Sequence, residues 1–168
     1  MIILGIDPGM ATTGYGLISF QNGKINCLES GWISTSKDES KEKRLISAFK
    51  QTRSLIKRQR PDVISIERLF FFINAKTAMN VAEFCGVIKL AAALEKIPIF
   101  EYAPKQIKNI LTGNGRADKS EIKYHIRKLL KVRSPKMKKT YYDDVCDALA
   151  VAICHVKISQ KQKKDLSK

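Results

Sequence analysis

The amino-acid sequence predicts an α/β domain in which a five-stranded mixed sheet is covered by helices. Two observations support this prediction. Residues 1–34 alternate short apolar runs with turn signals, which is typical of an antiparallel three-strand meander. The rest of the chain alternates short apolar runs with longer segments of helical periodicity, which is typical of βαβ crossovers. With 168 residues, the chain is long enough for one domain with a substantial core.

The opening meander is defined by its turns. Its three strands are predicted over 1–6, 15–20 and 25–34. The segment DPGMATTG forms the first turn, and Asn22-Gly23 at the centre of the second is the strongest short hairpin signal. The third strand therefore returns antiparallel to the second.

The remainder of the chain is predicted to add five helices and two strands. The helices are expected over 38–60, 74–95, 104–113 and 118–131, with a last helix capped by Asp143. The strands are expected over 63–66 and 97–102. Strands one, four and five then become parallel neighbours, and functional sites in such sheets gather beyond the carboxyl ends of the strands.

The charge balance predicts a polyanionic partner. The chain has 31 Lys and Arg against 16 Asp and Glu, a net charge of +15. Basic residues concentrate in three segments, 41–60, 131–139 and 157–168. One such run is usually only a solvated face, but three together favour nucleic acid.

Other features narrow the class of protein. No apolar run approaches the roughly 20 residues that span a bilayer, and the first residues lack the basic start and cleavage site of a signal peptide. The four cysteines contain no CxxC pair, so buried thiols are expected rather than a zinc site. We expect a cytoplasmic protein with one domain over 1–158 and a lysine-rich flexible tail over 159–168.

Four carboxylates are predicted to meet at one edge of the sheet. Asp7 and Glu67 end neighbouring parallel strands, while Asp144 and Asp147 share one face of the last helix. Two carboxylates about 5 Å apart repel by roughly 3 kcal/mol at an effective dielectric near 20. A divalent cation relieves this repulsion, and oxygen-only ligands select Mg²⁺ or Mn²⁺. Two such ions activate a water and stabilise a leaving oxygen in phosphodiester cleavage.

Structural roles compete with this hypothesis for each acid taken alone. Asp7 before Pro-Gly suits an Asx turn, Asp143 or Asp144 suits a helix cap, and Glu67 could pair with Arg68 or another basic residue. Phe70, like its two neighbours, suits either the core or stacking on a base. The predicted helix over 74–95 is apolar nearly all round, so its second face needs another helix or a second subunit.

Several motifs together resemble the RuvC family of Holliday junction resolvases. They are GIDPG, TGYG, ISIERLFF, NAKTAMNVAEFCGV, FEYAPKQIKNILTGNGRADKS and DDVCDALAVAICH, in this order between Ile3 and His155. The resemblance implies a ribonuclease H-like fold and a homodimer that nicks two like-polarity strands of a four-way DNA junction with Mg²⁺. It also implies a RuvA–RuvB branch-migration complex as partner.

The resemblance also assigns roles to individual residues. The family's metal-binding acids fall on Asp7, Glu67, Asp144 and Asp147. Its stacking phenylalanine falls on Phe70, and its junction-contacting lysines fall on Lys108 and Lys119. The chain departs from the family's usual residues at Arg68, Phe72, Ile73, Tyr141 and Tyr142. These departures affect sequence preference and DNA contacts rather than the acids.

Three other functions compete with the junction resolvase. A related nuclease of the YqgF type would act on structured RNA, and a non-catalytic protein would only bind nucleic acid. Actin-like kinases share an Asp-containing first strand but need a duplicated and much longer chain. The FFFINAKTAMNVAE and GNGRADKS segments favour the junction resolvase over the YqgF type, and the intact set of four acids argues against a non-catalytic protein.

Overall fold

The chain forms one five-stranded mixed sheet with helices on both faces, as the sequence predicts. The computed structural model describes residues 1–68, 75–130 and 139–166. The strands are β1 (Ile2–Asp7), β2 (Thr12–Gln21), β3 (Lys24–Ser34), β4 (Val63–Glu67) and β5 (Ile99–Tyr102). The helices are α1 (Lys41–Gln59), α2 (Ala75–Leu94), α3 (Pro104–Thr112), α4 (Lys119–Leu130) and α5 (Lys139–Leu166).

The sheet has the strand order β3-β2-β1-β4-β5. The first three strands are antiparallel, and their hairpin turns at Asn22-Gly23, where both residues have positive φ. β1, β4 and β5 are parallel neighbours. The predicted topology is therefore confirmed, and it brings the carboxyl ends of three parallel strands to one edge.

Alternating side chains of the central strands divide the core into two layers. Ile3 and Val63 pack with α3, α4 and α5 on one face of the sheet. Leu4 and Ile64 pack with α1 and α2 on the other. Both faces are covered because successive strand residues point in opposite directions and most of those in β1 and β4 are apolar.

Local signals set the boundaries of α1 and α3. Ser40 caps α1, accepting a hydrogen bond from the backbone N–H of Lys43, and Arg60 ends the helix in the left-handed conformation. Pro104 stands in the first turn of α3, and Gly113, with a φ of 82°, terminates it. No helix within the described ranges is both long and apolar enough to cross a membrane.

Several boundaries differ from the sequence-based prediction, and those of β2 and α5 lie nearest the predicted acids. β2 begins at Thr12, because residues 12–14 pair with β3, and Gly14 pairs with Asp7 of β1 as well, instead of belonging to the turn. α5 begins at Lys139, so the predicted N-cap at Asp143 is wrong: Asp143 lies inside the helix, where its carboxylate pairs with Lys123. α5 also continues to Leu166, so the described part of the predicted tail is helical.

Candidate active site

Asp7 and Glu67 lie side by side at the edge formed by the carboxyl ends of β1 and β4. Each is the last residue of its strand, and the preceding residues, Ile6 and Ile66, are paired in the parallel register. Both isoleucines pack into the core beneath α1 and α2. Because side chains alternate along a strand, the two carboxylates face the opposite side of the sheet, where α5 lies.

Glycines in β1 and β2 let α5 approach this edge closely. A Cβ atom on Gly5 would lie 2.0 Å from the backbone oxygen of Ala148, and one on Gly14 would lie 2.2 Å from that of Asp144. No side chain fits in either place. Sequence reasoning quoted these glycines only as parts of motifs, and it did not identify their contribution to the position of Asp144.

The turn that follows Asp7 is fixed by two side chains that sequence reasoning also missed. The hydroxyl of buried Thr13 donates to the backbone oxygen of Gly9 at 3.0 Å. The guanidinium of buried Arg44 donates to the backbone oxygen of Met10 at 2.9 Å and to the hydroxyl of Thr35 at 3.0 Å. A basic residue at a helix position that must face the protein is the one sequence signal that could have identified Arg44.

The four predicted acids, hereafter the acid cluster, interact electrostatically. Burial raises the pKa of Asp7 well above its usual range, and the negative charges of Asp147, Glu67 and Asp144 raise it further. Burial and Asp147 raise the pKa of Glu67 to about 7, although Lys119 and Lys108 oppose the shift. A close ion pair between Glu67 and Arg68 would have lowered it. The structure thus brings together side chains from three distant segments of the chain.

The pKa values of the two acids of α5 are also raised. Burial raises the pKa of Asp144, and the neighbouring charge of Asp147 adds to the shift. The pKa of Asp147 is also raised, mainly by burial, despite the opposing effect of Lys119. Burial is the largest cause of the raised pKa of all four acids, and repulsion from a neighbouring carboxylate adds to each shift.

Lysines from α3 and α4 border the acid cluster. Lys119 donates from its ammonium to the carboxylate of Asp147 at 3.2 Å. Burial alone would lower the pKa of Lys119, but Asp147, Asp143 and Asp7 together raise it. Lys108 and Lys119 line a cavity of about 120 Å³ together with Glu67 and Asp147. Phe70, the predicted stacking residue, lies outside the described residues.

The donor atoms of the acid cluster suit a hard divalent cation. All four side chains offer carboxylate oxygens, which Mg²⁺ and Mn²⁺ prefer, and no softer ligand competes among them. Across the described ranges, no three His, Cys, Asp or Glu side chains are grouped tightly enough to hold a metal ion. In the structure, the positive charge next to Asp147 is the ammonium of Lys119. The chemistry of the cluster therefore fits a metal, and the contact with Lys119 would have to yield to it.

Comparison with known proteins gives consistent results along nearly the whole chain. The family model described as crossover junction endodeoxyribonuclease RuvC matches residues 3–155. The protein of that name from Petrotoga mobilis is 44% identical over 155 residues, covering 92% of this chain and 93% of the relative. The one from Ruminiclostridium cellulolyticum is 45% identical over 155 residues, covering 92% and 91%.

A solved structure extends the likeness to three dimensions. The structure described as Thermus thermophilus RuvC in complex with Holliday junction substrate superposes with a TM-score of 0.88. It is 27% identical in sequence, and the match covers 96% of each chain. The five-stranded sheet and its flanking helices therefore have the ribonuclease H-like architecture that the sequence predicts.

Proposed function

The chain belongs to the RuvC family of crossover junction endodeoxyribonucleases, and we propose that it resolves four-way (Holliday) DNA junctions in recombination and repair. Resolution proceeds by paired, symmetric nicks in two strands of like polarity. The observation that most strongly supports this proposal is the convergence of Asp7, Glu67, Asp144 and Asp147 in a chain of net charge +15. The positive surface attracts the polyanion, and the acidic edge is where it is cut.

Nucleases of this family depend on a divalent metal, and the acid cluster is the proposed binding site for it. Asp7, Glu67, Asp144 and Asp147 would hold Mg²⁺, or Mn²⁺ in its place, with two ions per site. When bound, the metal supplies Lewis acidity that activates a water and stabilises the leaving 3′ oxygen. Burial of Asp7 keeps its carboxylate poorly solvated, which favours its exchange of water for a cation.

The lysines beside the acid cluster are proposed to bind the DNA backbone. Lys108 and Lys119 line the same cavity as Glu67 and Asp147, so a phosphate held by these ammonium groups would lie next to the carboxylates. Phe70, three residues after Glu67, is proposed to stack on a base at the junction.

A homodimer would place two acid clusters on one junction, and α2 offers a surface for it. Among the described side chains of this helix, three large apolar ones are exposed: Met79 at 63%, Leu90 at 54% and Leu94 at 52%. An exposed apolar stripe on a helix whose other face is buried fits a symmetric helix-to-helix contact. A RuvA–RuvB complex as partner and a cytoplasmic location, where bacterial DNA lies, complete the proposal.

Removing one carboxylate charge tests the proposed chemistry. Asp7→Asn keeps the shape of the side chain and removes an anionic ligand, so it should abolish nicking of a synthetic four-way junction in Mg²⁺. Junction binding should remain within about threefold of the parent, since Asp7 does not attract phosphate. The matched control is Asp165→Asn, at an exposed position near the end of α5, which should cut like the parent.

Comparing the cleavage of several nucleic acids distinguishes this function from its alternatives. The parent should nick the four-way junction symmetrically with Mg²⁺ and leave duplex, fork and structured RNA largely intact. Preferential cutting of the RNA would favour the YqgF-type function. Binding of the junction without metal-dependent nicks would indicate a non-catalytic protein. If Asp7→Asn resolved junctions at the parent rate, the assignment of the acid cluster would be wrong.

A further inference from the structure

The first turns of α5 are held by an ion pair from α4. Asp144 and Asp147 lie only five and eight residues after the first residue of the helix, Lys139. Between them and the helix start, the carboxylate of Asp143 accepts a hydrogen bond from the ammonium of Lys123. These two side chains are only 22% and 16% exposed. This pair is therefore much better shielded from water than a typical surface ion pair.

An aromatic contact with the sheet also holds the same turns. The rings of Tyr141 in α5 and Trp32 in β3 are stacked, with centroids 4.7 Å apart and planes 9° from parallel. The ammonium of Lys123 also lies 5.6 Å from the ring centroid of Tyr142. The helix start is thus tied to the edge strand of the sheet through one tyrosine and to α4 through the next two residues.

Two ion pairs connect α4 and α5 in register. Lys119 and Lys123 are one turn apart on α4, and their partners, Asp147 and Asp143, are one turn apart on α5. The Lys119 pair is more exposed and involves a member of the acid cluster, so it must open when that carboxylate binds a cation. The Lys123 pair involves no proposed ligand. It can persist while the Lys119 pair opens.

We propose that Trp32, Tyr141, Lys123 and Asp143, hereafter the α5 clamp, are positioning residues for Asp144 and Asp147. The inference rests on the proposed junction-resolving function. The clamp fixes the height and rotation of α5 above β1 and β2, so that its two acids stay aligned with Asp7 and Glu67 when Lys119 leaves Asp147. Misplacing catalytic groups by about 1 Å costs on the order of 10²-fold in rate, so a modest shift of α5 has a measurable effect.

The decisive variant removes the ion pair without changing net charge. In Lys123→Met/Asp143→Asn, both partners become neutral, so the field at the acid cluster changes little while the contact is lost. We expect the single-turnover rate at saturating junction and Mg²⁺ to fall at least about tenfold. The junction Kd, measured in Ca²⁺, should stay within about twofold. Lys123→Arg retains the pair and should restore most of the rate.

The matched control is Lys128→Met, which removes an exposed lysine from the same helix and should behave like the parent. A second readout is the heat of Mg²⁺ binding: the double variant should bind Mg²⁺ more weakly than Lys128→Met does. If the double variant is unfolded at the assay temperature, Tyr141→Leu, which removes the stack alone, is measured in its place. Either variant cutting and binding Mg²⁺ as the control does would overturn the inference. Failure of the parent to cut junctions at all would instead contradict the proposed function.

Discussion

At the scale of single residues, the ion pair that Lys119 makes with Asp147 and its proposed contact with a DNA phosphate exclude each other in time. Its ammonium lies 3.2 Å from the carboxylate of Asp147 and partly compensates the acid cluster. A divalent ion bound by Asp147 would take over that compensation, because it brings more charge to the same oxygens. The displaced ammonium is then free for a phosphate of the DNA. The metal and the substrate thus become linked through one side chain.

This exchange predicts how Lys119→Met changes stability. Without metal, the variant leaves the carboxylate of Asp147 uncompensated, and we expect a loss of about 0.5–1 kcal/mol, or about 1–4 °C in Tm. Mg²⁺ should raise the Tm of the variant more than that of the parent, since no lysine competes for Asp147. Thermal unfolding in EDTA and in Mg²⁺ measures both effects. Equal shifts in Lys119→Met and Lys128→Met would contradict the exchange.

At the scale of helices and strands, the boundaries that depend on adjacent residues were predicted correctly, and those that depend on distant residues were not. The Asn22-Gly23 turn and the Gly113 stop depend on residues next to them, and both were predicted correctly. The start of α5 was not. Asp143 is a good capping residue in isolation, but its carboxylate binds Lys123 of α4, a partner that no local pattern reveals.

The residues of the candidate site also differ in how far the sequence predicts them. Asp7 and Glu67 could be located because each ends a strand whose neighbour was predictable from the topology. The glycines that admit α5, and Arg44 behind the turn after Asp7, depend on close approaches between elements far apart in sequence. Such approaches follow from tertiary packing, so sequence periodicity alone does not show them.

The exposed stripe of α2 leads to a prediction at the same scale. Leu90 is 54% exposed in the middle of the stripe, and in the proposed dimer a carboxylate there would be desolvated against its symmetry mate. Leu90→Glu should therefore convert a dimer into a monomer in light scattering and should abolish paired nicking. Leu28→Glu changes a leucine of β3 that is 51% exposed, away from the stripe, and should remain dimeric. A Leu90→Glu protein that stays dimeric would place the interface elsewhere.

At the scale of the whole molecule, a group of negative charges lies at one edge of a protein that is otherwise strongly positive. The net charge is +15, yet four acids with raised pKa values gather at one edge of the sheet. The excess of cations elsewhere on the surface draws DNA in, and the edge itself attracts cations rather than phosphate. Lys108 and Lys119 stand at the boundary between these regions, where a phosphate can approach the carboxylates without being repelled.

This separation predicts steep salt dependence of junction binding. If six to ten phosphates are neutralised, raising salt from 50 to 200 mM should weaken binding by about 10³–10⁵-fold. Lys108→Met should reduce the slope of log K against log salt by about one, because it removes one proposed phosphate contact at the acidic edge. Lys24→Met, in the β2–β3 hairpin on the far side of the sheet, should leave the slope unchanged. Fluorescence anisotropy with a labelled four-way junction in EDTA gives the slopes without cleavage. A binding constant that does not vary with salt would mean that the positive charge serves something other than DNA, and equal slopes for both variants would remove Lys108 from the phosphate contacts.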